Sequence, residues 1–124
     1  MIYGIGIDLI EVERIARQIT GENHFREKIF SPKEIAYCED KPNQAEHYAA
    51  RFAAKEALFK ALGTGWRGGL NFAEVEILND DLGKPAFNFL GKTSQIIEEL
   101  NLTHIHLSLS HLAQIAVAVV ILEK

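Results

Sequence analysis

The residue types in this chain that could do chemistry gather around one acid. Glu56 stands inside Arg51-Phe-Ala-Ala-Lys-Glu-Ala-Leu-Phe-Lys-Ala-Leu-Gly-Thr-Gly65, the end of a helix running into a glycine-rich turn. From Arg51 to Arg67 there are four bases (Arg51, Lys55, Lys60, Arg67) and one acid, a local +3 in a chain of formal net charge −4. A positive excess beside a glycine turn suggests an anion site. The lone acid needs a separate reason, and a metal ion supplies one. A second carboxylate, Asp8, closes a stretch with two glycines, Gly4-Ile-Gly-Ile-Asp8. Two carboxylates plus phosphate oxygens are a usual way to hold Mg²⁺, which keeps several waters and takes few protein ligands.

Each acid also has a plainer reading. Glu56 and Lys60 are one helical turn apart and could form an exposed pair worth a few tenths of a kcal/mol. Against this, Phe52 and Phe59 fall on the same outer side by angle, so something should cover that side. A covered carboxylate needs a positive partner, which Lys60 or a metal can be. Asp8-Leu-Ile-Glu11 fits a helix capping box, with Asp8 as the N-cap. Gly63-Thr-Gly65 fits a helix terminator. Continued through Trp66-Arg67-Gly-Gly69, it is longer than a cap requires, and its N–H groups could cradle phosphate beside Lys60 and Arg67.

These residues need elements to position them. Residues 2–10 read as a strand with Ile5, Ile7 and Leu9 on one face and Gly4, Gly6, Asp8 and Ile10 on the other. Glycines inside a strand mark the close approach of another backbone or a ligand. Val12, Ile15, Ala16 and Ile19 form the stripe of a first helix. Its charges, with Arg14, Arg17, Arg26 and Lys28 diluted by Glu11, Glu13, Glu22 and Glu27, make either a solvated face or a docking surface for an acidic protein. Ser31-Pro32-Lys33-Glu34 is a capping box that opens a short helix. Asn43-Gln-Ala-Glu46 reads as another box, opening a helix that runs about 28 Å to Leu62 with Gly63 as its cap. Ala54, Ala57, Leu58 and Ala61 make its core stripe. Strands follow at 73–78 and 86–90, a short helix at 93–100, and strands at 104–110 and 115–122. The last two are joined as a hairpin through His111. The order β-α-α-α-β-β-α-β-β predicts an α+β class, with an antiparallel sheet packed against a long central helix.

Two further motifs carry metal or phosphate readings. Gly91-Lys92-Thr93 lies between a strand and a helix, but a P-loop needs glycine at 86, where Ala86 stands. His104 and His106 share a strand face with His111 near, a pattern that could bind zinc and supports a hydrolase as a rival reading. Ser108-Leu-Ser-His111 places hydroxyls and an imidazole at a strand end.

Bulk properties narrow the class. The 124 residues fit one domain spanning 1–124, with 48% hydrophobic and 24% charged residues. A pI near 5.7 argues against non-specific nucleic-acid or anionic-membrane binding. No apolar run reaches the ~18–20 residues of a membrane span. The N-terminus lacks the features of a signal peptide. Cys38, the one cysteine, excludes an internal disulfide and reads as a half-buried structural thiol. The expectation is a cytoplasmic protein.

Taken together, these segments resemble the holo-acyl-carrier-protein synthases, the small bacterial class of 4′-phosphopantetheinyl transferases. The resemblance rests on Gly4-Ile-Gly-Ile-Asp8 with Ile10-Glu-Val-Glu-Arg14-Ile15, on Arg51-Phe-Ala-Ala-Lys-Glu56-Ala through Gly65, on Gly83-Lys84-Pro85, and on Ser108-Leu-Ser-His111 with Ala116-Val-Ala118-Val. The segment from Gln18 to Asn43 is less family-like. The resemblance implies the 4′-phosphopantetheinyl transferase fold and Mg²⁺-dependent transfer of phosphopantetheine from coenzyme A to a serine of apo acyl carrier protein. Adenosine 3′,5′-bisphosphate is released, in support of fatty acid biosynthesis. It further implies that Asp8 and Glu56 hold Mg²⁺ and act with Lys60 in catalysis. Lys60 and the Gly63, Thr64 and Gly65 turn would hold phosphate, and Arg51 and His111 would contact coenzyme A. A metal-held water and Glu56 both stand as the base. The family is typically homotrimeric with sites between subunits, so His111 would come from a neighbour. Outside the enzyme class, a non-catalytic trimeric scaffold or nucleotide-binding module is the remaining rival.

Overall fold

The computed structural model describes residues 1–64 and 69–124. Strand β1 (Ile2–Glu11) leads into helix α1 (Val12–Thr20), then α2 (Phe25–Ile29), α3 (Pro32–Glu39) and the long α4 (Gln44–Leu62). A 3₁₀ turn (Phe72–Glu74) precedes β2 (Val75–Asn79) and β3 (Pro85–Phe89). Helix α5 (Gly91–Glu99) and the hairpin β4 (His104–His111) and β5 (Ile115–Glu123) complete the described chain. The α+β class and the element order match the expectation except for α2, which five residues with no buried side chain could not announce by periodicity.

The strands form two antiparallel sheets, a three-stranded one in the order β1-β5-β4 and the β2-β3 pair. Helix α4 packs on one face of the larger sheet. Its Ala54, Ala57, Leu58 and Ala61 are buried, as the angular reading requires. Facing them, Ala116, Ala118, Val120 and Leu122 of β5 are fully buried. Small residues on both sides let the helix come very near the sheet. A Cβ at Gly4 would lie 1.9 Å from the carbonyl oxygen of Ala61. The glycine face of β1 is thus explained by a backbone and not by a ligand.

The other sheet face is open. Ile5, Ile7 and Leu9 of β1 are 60%, 58% and 62% exposed. In register beside them lie Ile121, Val119 and Val117 of β5, then His106, Ser108 and Ser110 of β4.

On the far side of α4, a buried polar network ties α4, α3, the 3₁₀ turn and β2 together. Lys55 Nζ donates to Glu34 Oε1 and to the carbonyl of Phe72, both at 2.7 Å. Glu34 also accepts from the backbone N–H of Ser31 and of Ile77. Ser31 Oγ donates to Glu76 at 2.6 Å. The predicted capping box at Ser31 therefore forms, and its Glu34 doubles as the counterion of a buried lysine. Cys38 is fully buried, deeper than expected, and burial pushes its thiol up to about 12.

Candidate active site

Asp8 lies on β1 opposite Ala118, on the helix-facing side. It does not cap α1, whose N-cap is Glu11 without a side-chain bond. Instead it meets α4: Lys60 Nζ donates to Asp8 Oδ1 and to the carbonyl of Ile7, both at 3.0 Å. Glu56 sits one turn before Lys60. Burial holds its carboxyl above the usual glutamate range, and the charge of Asp8 pushes it further up, against smaller opposing pulls from Lys60 and Arg14. Asp8 and Glu56 thus converge from a strand and a helix that the glycines allow to touch. Phe59 is buried and Phe52 half-buried, but their cover is internal. Phe52 stacks on Phe72 at 5.9 Å, and Phe59 meets the same ring edge-on at 4.9 Å.

A carboxylate held up by burial and by a second carboxylate's charge favours a cation beside it. Lys60 meets part of that demand for Asp8. The hard oxygens of two partly buried carboxylates suit Mg²⁺, which binds through one or two carboxylates plus substrate phosphates. Among the described residues no group of three metal-ligating side chains converges, so a cation here depends on oxygens that a substrate or water would bring.

A second feature lies around the other flank of α4. Tyr37, His47, Arg51, Asn79, Pro85 and His111 are among the residues that line a cavity of about 210 Å³. Arg51 is 3% exposed. Its Nη2 donates to Asn79 Oδ1 at 2.6 Å, and its guanidinium lies 4.0 Å over the Tyr37 ring. Its Nε is buried with no hydrogen-bond partner among the described residues. His47 is held below the usual imidazole range by burial, then by the charges of His111, Arg51 and Lys41. A wall that disfavours one more positive charge favours an anion.

Within one chain these two features are apart. Asp8 and Leu109 both pair with Ala118 from opposite sides, so their backbones stand about 10 Å apart across two strand spacings. Leu109 lines the cavity and Asp8 does not. On α4, Arg51 and Glu56 point about 140° apart.

Gly63 caps α4 in the left-handed conformation (φ 80°), as expected. Its N–H already bonds the carbonyls of Phe59 and Lys60 at 3.1 Å each, so it turns the chain and has no free donor for phosphate. Thr64 is exposed just beyond it. Gly65 and Arg67 lie outside the described residues. The histidines expected to converge on zinc do not. His104 and His106 stack at 5.9 Å on the open sheet face, where His106 pairs with Glu123. His111 falls on the opposite parity of β4 and turns to α4, where Nδ1 lies 2.9 Å from Glu46 Oε1. Asn43 makes no cap, so Glu46 serves His111 and not a capping box. Tyr37, His47 and Asn79 were not singled out by their spacing, and only the fold brings them to Arg51.

Known proteins similar to this chain identify its family. The model of the 4′-phosphopantetheinyl transferase superfamily matches residues 4–120. The chain is 46% identical over 125 residues to a holo-[acyl-carrier-protein] synthase of Geotalea daltonii, covering 100% of both chains. It is 48% identical to one of Koribacter versatilis, covering 99% of both. Among solved structures, the holo-[acyl-carrier-protein] synthase of Neisseria meningitidis superposes with a TM-score of 0.91 at 38% identity over 100% of both chains. That of Bacillus anthracis, solved in complex with CoA (3′,5′-ADP), superposes with a TM-score of 0.82 at 38% identity, over 100% of this chain and 98% of that one. With the matched segments spanning both the carboxylate pair on β1 and α4 and the hairpin that carries His111, the chain belongs to the 4′-phosphopantetheinyl transferase superfamily.

Proposed function

We propose that residues 1–124 form one holo-acyl-carrier-protein synthase domain that acts as a homotrimer. The enzyme transfers 4′-phosphopantetheine from coenzyme A to a serine of apo acyl carrier protein. As the serine oxygen bonds to the β-phosphorus, its proton passes to solvent, the pyrophosphate linkage breaks, and adenosine 3′,5′-bisphosphate leaves with the bridging oxygen. The observation that carries this reading is the convergence of Asp8, Glu56 and Lys60 at the contact of β1 with α4.

Each group of this chain has a distinct part. Asp8 and Glu56 hold Mg²⁺, and Lys60 moves between Asp8 and a phosphate oxygen of the substrate. Bound Mg²⁺ supplies charge neutralisation at the pyrophosphate. Thr64, just past the Gly63 cap, and Gly65 bind the same phosphates. Arg51 and His111 bind the nucleotide half of coenzyme A in their cavity, where the buried guanidinium is pre-ordered by Asn79 and Tyr37.

Assembly joins the two features. The apolar face made by Ile5, Ile7, Leu9, Val117, Val119 and Ile121 is covered by further copies of the chain, since leaving three large aliphatic side chains of one strand in water is unfavourable. In that assembly the carboxylates of one subunit and the cavity of its neighbour would make up one site. The rival zinc reading has lost its geometric basis, because His111 turns away from the face that His104 and His106 share.

The test is direct. The protein is incubated with coenzyme A, Mg²⁺ and an apo carrier, and the carrier is weighed by mass spectrometry. A phosphopantetheine mass gain that needs Mg²⁺ is expected. Coenzyme A binding with an unmodified carrier would leave only a nucleotide-binding module. Light scattering reads the trimer in the same preparation.

A further inference from the structure

Glu46 contacts a group of the cavity, and the transfer reaction gives it no task. It is the third residue of α4, 65 positions from His111, and its Oε1 lies 2.9 Å from His111 Nδ1. Their side chains are 20% and 28% exposed, so the contact is shielded from competing water on most sides. An ionised carboxylate can only accept a hydrogen bond, so Nδ1 carries the proton. The ring's other nitrogen, Nε2, is left unclaimed by Glu46.

The placement of the two residues is what gives this bond a direction. His111 lines the cavity with Arg51, whereas Glu46 does not; it borders a separate depression with Val12, Pro42 and Ala113. The carboxylate therefore sits behind the imidazole relative to the cavity. The ring is braced from the side by His47, whose centroid lies 5.1 Å away in an edge-on contact. Unlike a surface ion pair, this one holds a ring in place at three points: the backbone of β4, the carboxylate behind, and the neighbouring ring. The charge pattern agrees, because the bond to His111 is the largest influence on Glu46 and holds its carboxyl below the usual range.

We propose that Glu46 is a positioning residue for coenzyme A binding: it fixes the tautomer and rotation of His111 so that Nε2 is presented to the cavity that Arg51 lines. The proposal rests on the assignment of His111 to the coenzyme. It assigns no chemistry to Glu46 itself, which touches neither substrate. Carboxylates that orient a functional imidazole through Nδ1 do so by the same physics in other settings.

Calorimetry with coenzyme A, steady-state kinetics and imidazole ¹⁵N spectroscopy test it together. Glu46→Ala is expected to weaken coenzyme A binding about tenfold, the scale of one charge-assisted hydrogen bond, with the loss falling on KM for coenzyme A and not on kcat. Glu46→Gln, whose amide oxygen accepts the same bond, should recover most of the affinity and controls for folding. In a His111→Ala background, Glu46→Ala should cost nothing further. In the free protein, at a pH where the ring is neutral, His111 should show the Nδ1–H form in wild type and shift toward Nε2–H in Glu46→Ala. Equal losses of affinity in both backgrounds, or an unchanged tautomer with unchanged affinity, would overturn the proposal while leaving the coenzyme site intact. If His111→Ala alone binds coenzyme A normally, the site assignment itself falls, and the proposal falls with it.

Discussion

A Cβ added to Gly6 would lie 1.8 Å from the carbonyl oxygen of Ala57. No real contact is that short, and the neighbour is helix backbone, which cannot swing aside. Gly6 is two residues before Asp8, and Ala57 follows Glu56. The approach that removes a side chain at position 6 is the one that brings the two carboxylates together. Gly6→Ala must push β1 and α4 apart. We expect a stability loss of about 1–3 kcal/mol or more, as for other overpacked cores, together with loss of transfer activity beyond what unfolding explains. Urea denaturation and activity at a temperature where the variant is folded separate the two effects.

Asp8→Ala and Glu56→Ala should each abolish Mg²⁺-dependent transfer while the protein stays folded. The physical reason is that each removes one of the two hard ligands, and one carboxylate alone leaves the cation to water. Near-normal rates in either folded variant would refute the metal assignment.

Stability should move oppositely at Glu56. Its carboxyl is held above the ordinary glutamate value of 4.5, so the folded protein binds that proton more tightly than the unfolded chain does. The wild type then has its full stability below the ordinary value and loses part of it as pH rises through the higher folded value. Without divalent cations, Glu56→Gln should melt above wild type at neutral pH, and the gap should close in acid. Calorimetric melting at several pH values checks this. A gap that is constant with pH would point to packing instead.

Lys60→Ala should weaken coenzyme A binding about tenfold, the effect of losing one charged donor to a phosphate. The lysine is exposed enough to leave Asp8 for a ligand, with 54% of its side chain accessible. An unchanged dissociation constant by calorimetry would remove it from the phosphate site.

Lys55 predicts the contrast. It is one residue from Glu56 yet completely buried against Glu34. Lys55→Ala strands Glu34 among groups arranged for a charge pair, and breaking such a pair from one side costs about 3–5 kcal/mol. Urea unfolding should show that loss. A change below about 1 kcal/mol, the range of exposed pairs, would mean that Glu34 reorganises freely.

Much of this molecule was legible from order and period alone. The small-residue stripe Ala54, Ala57, Leu58, Ala61 and the glycines of β1 are complementary patterns in local sequence, and each constrains the other wherever they meet. The capping box at Ser31 and the glycine cap at Gly63 are likewise local, because their hydrogen bonds close within a few residues. Asp8 and Glu56 could be paired from sequence as the two acids set apart by such patterns. What only the tertiary structure decided is long-range and depends on which side of α4 a neighbour arrives. Lys55 looks like one more base in a positive stretch until Glu34, 21 residues away, reaches it in the core. Glu46 looks like the end of a capping box until β4 delivers His111 beside it. Periodicity reports which face a residue occupies. It carries no information about which distant partner the fold lays against that face, and in this chain that choice separates the carboxylate edge from the Arg51 cavity.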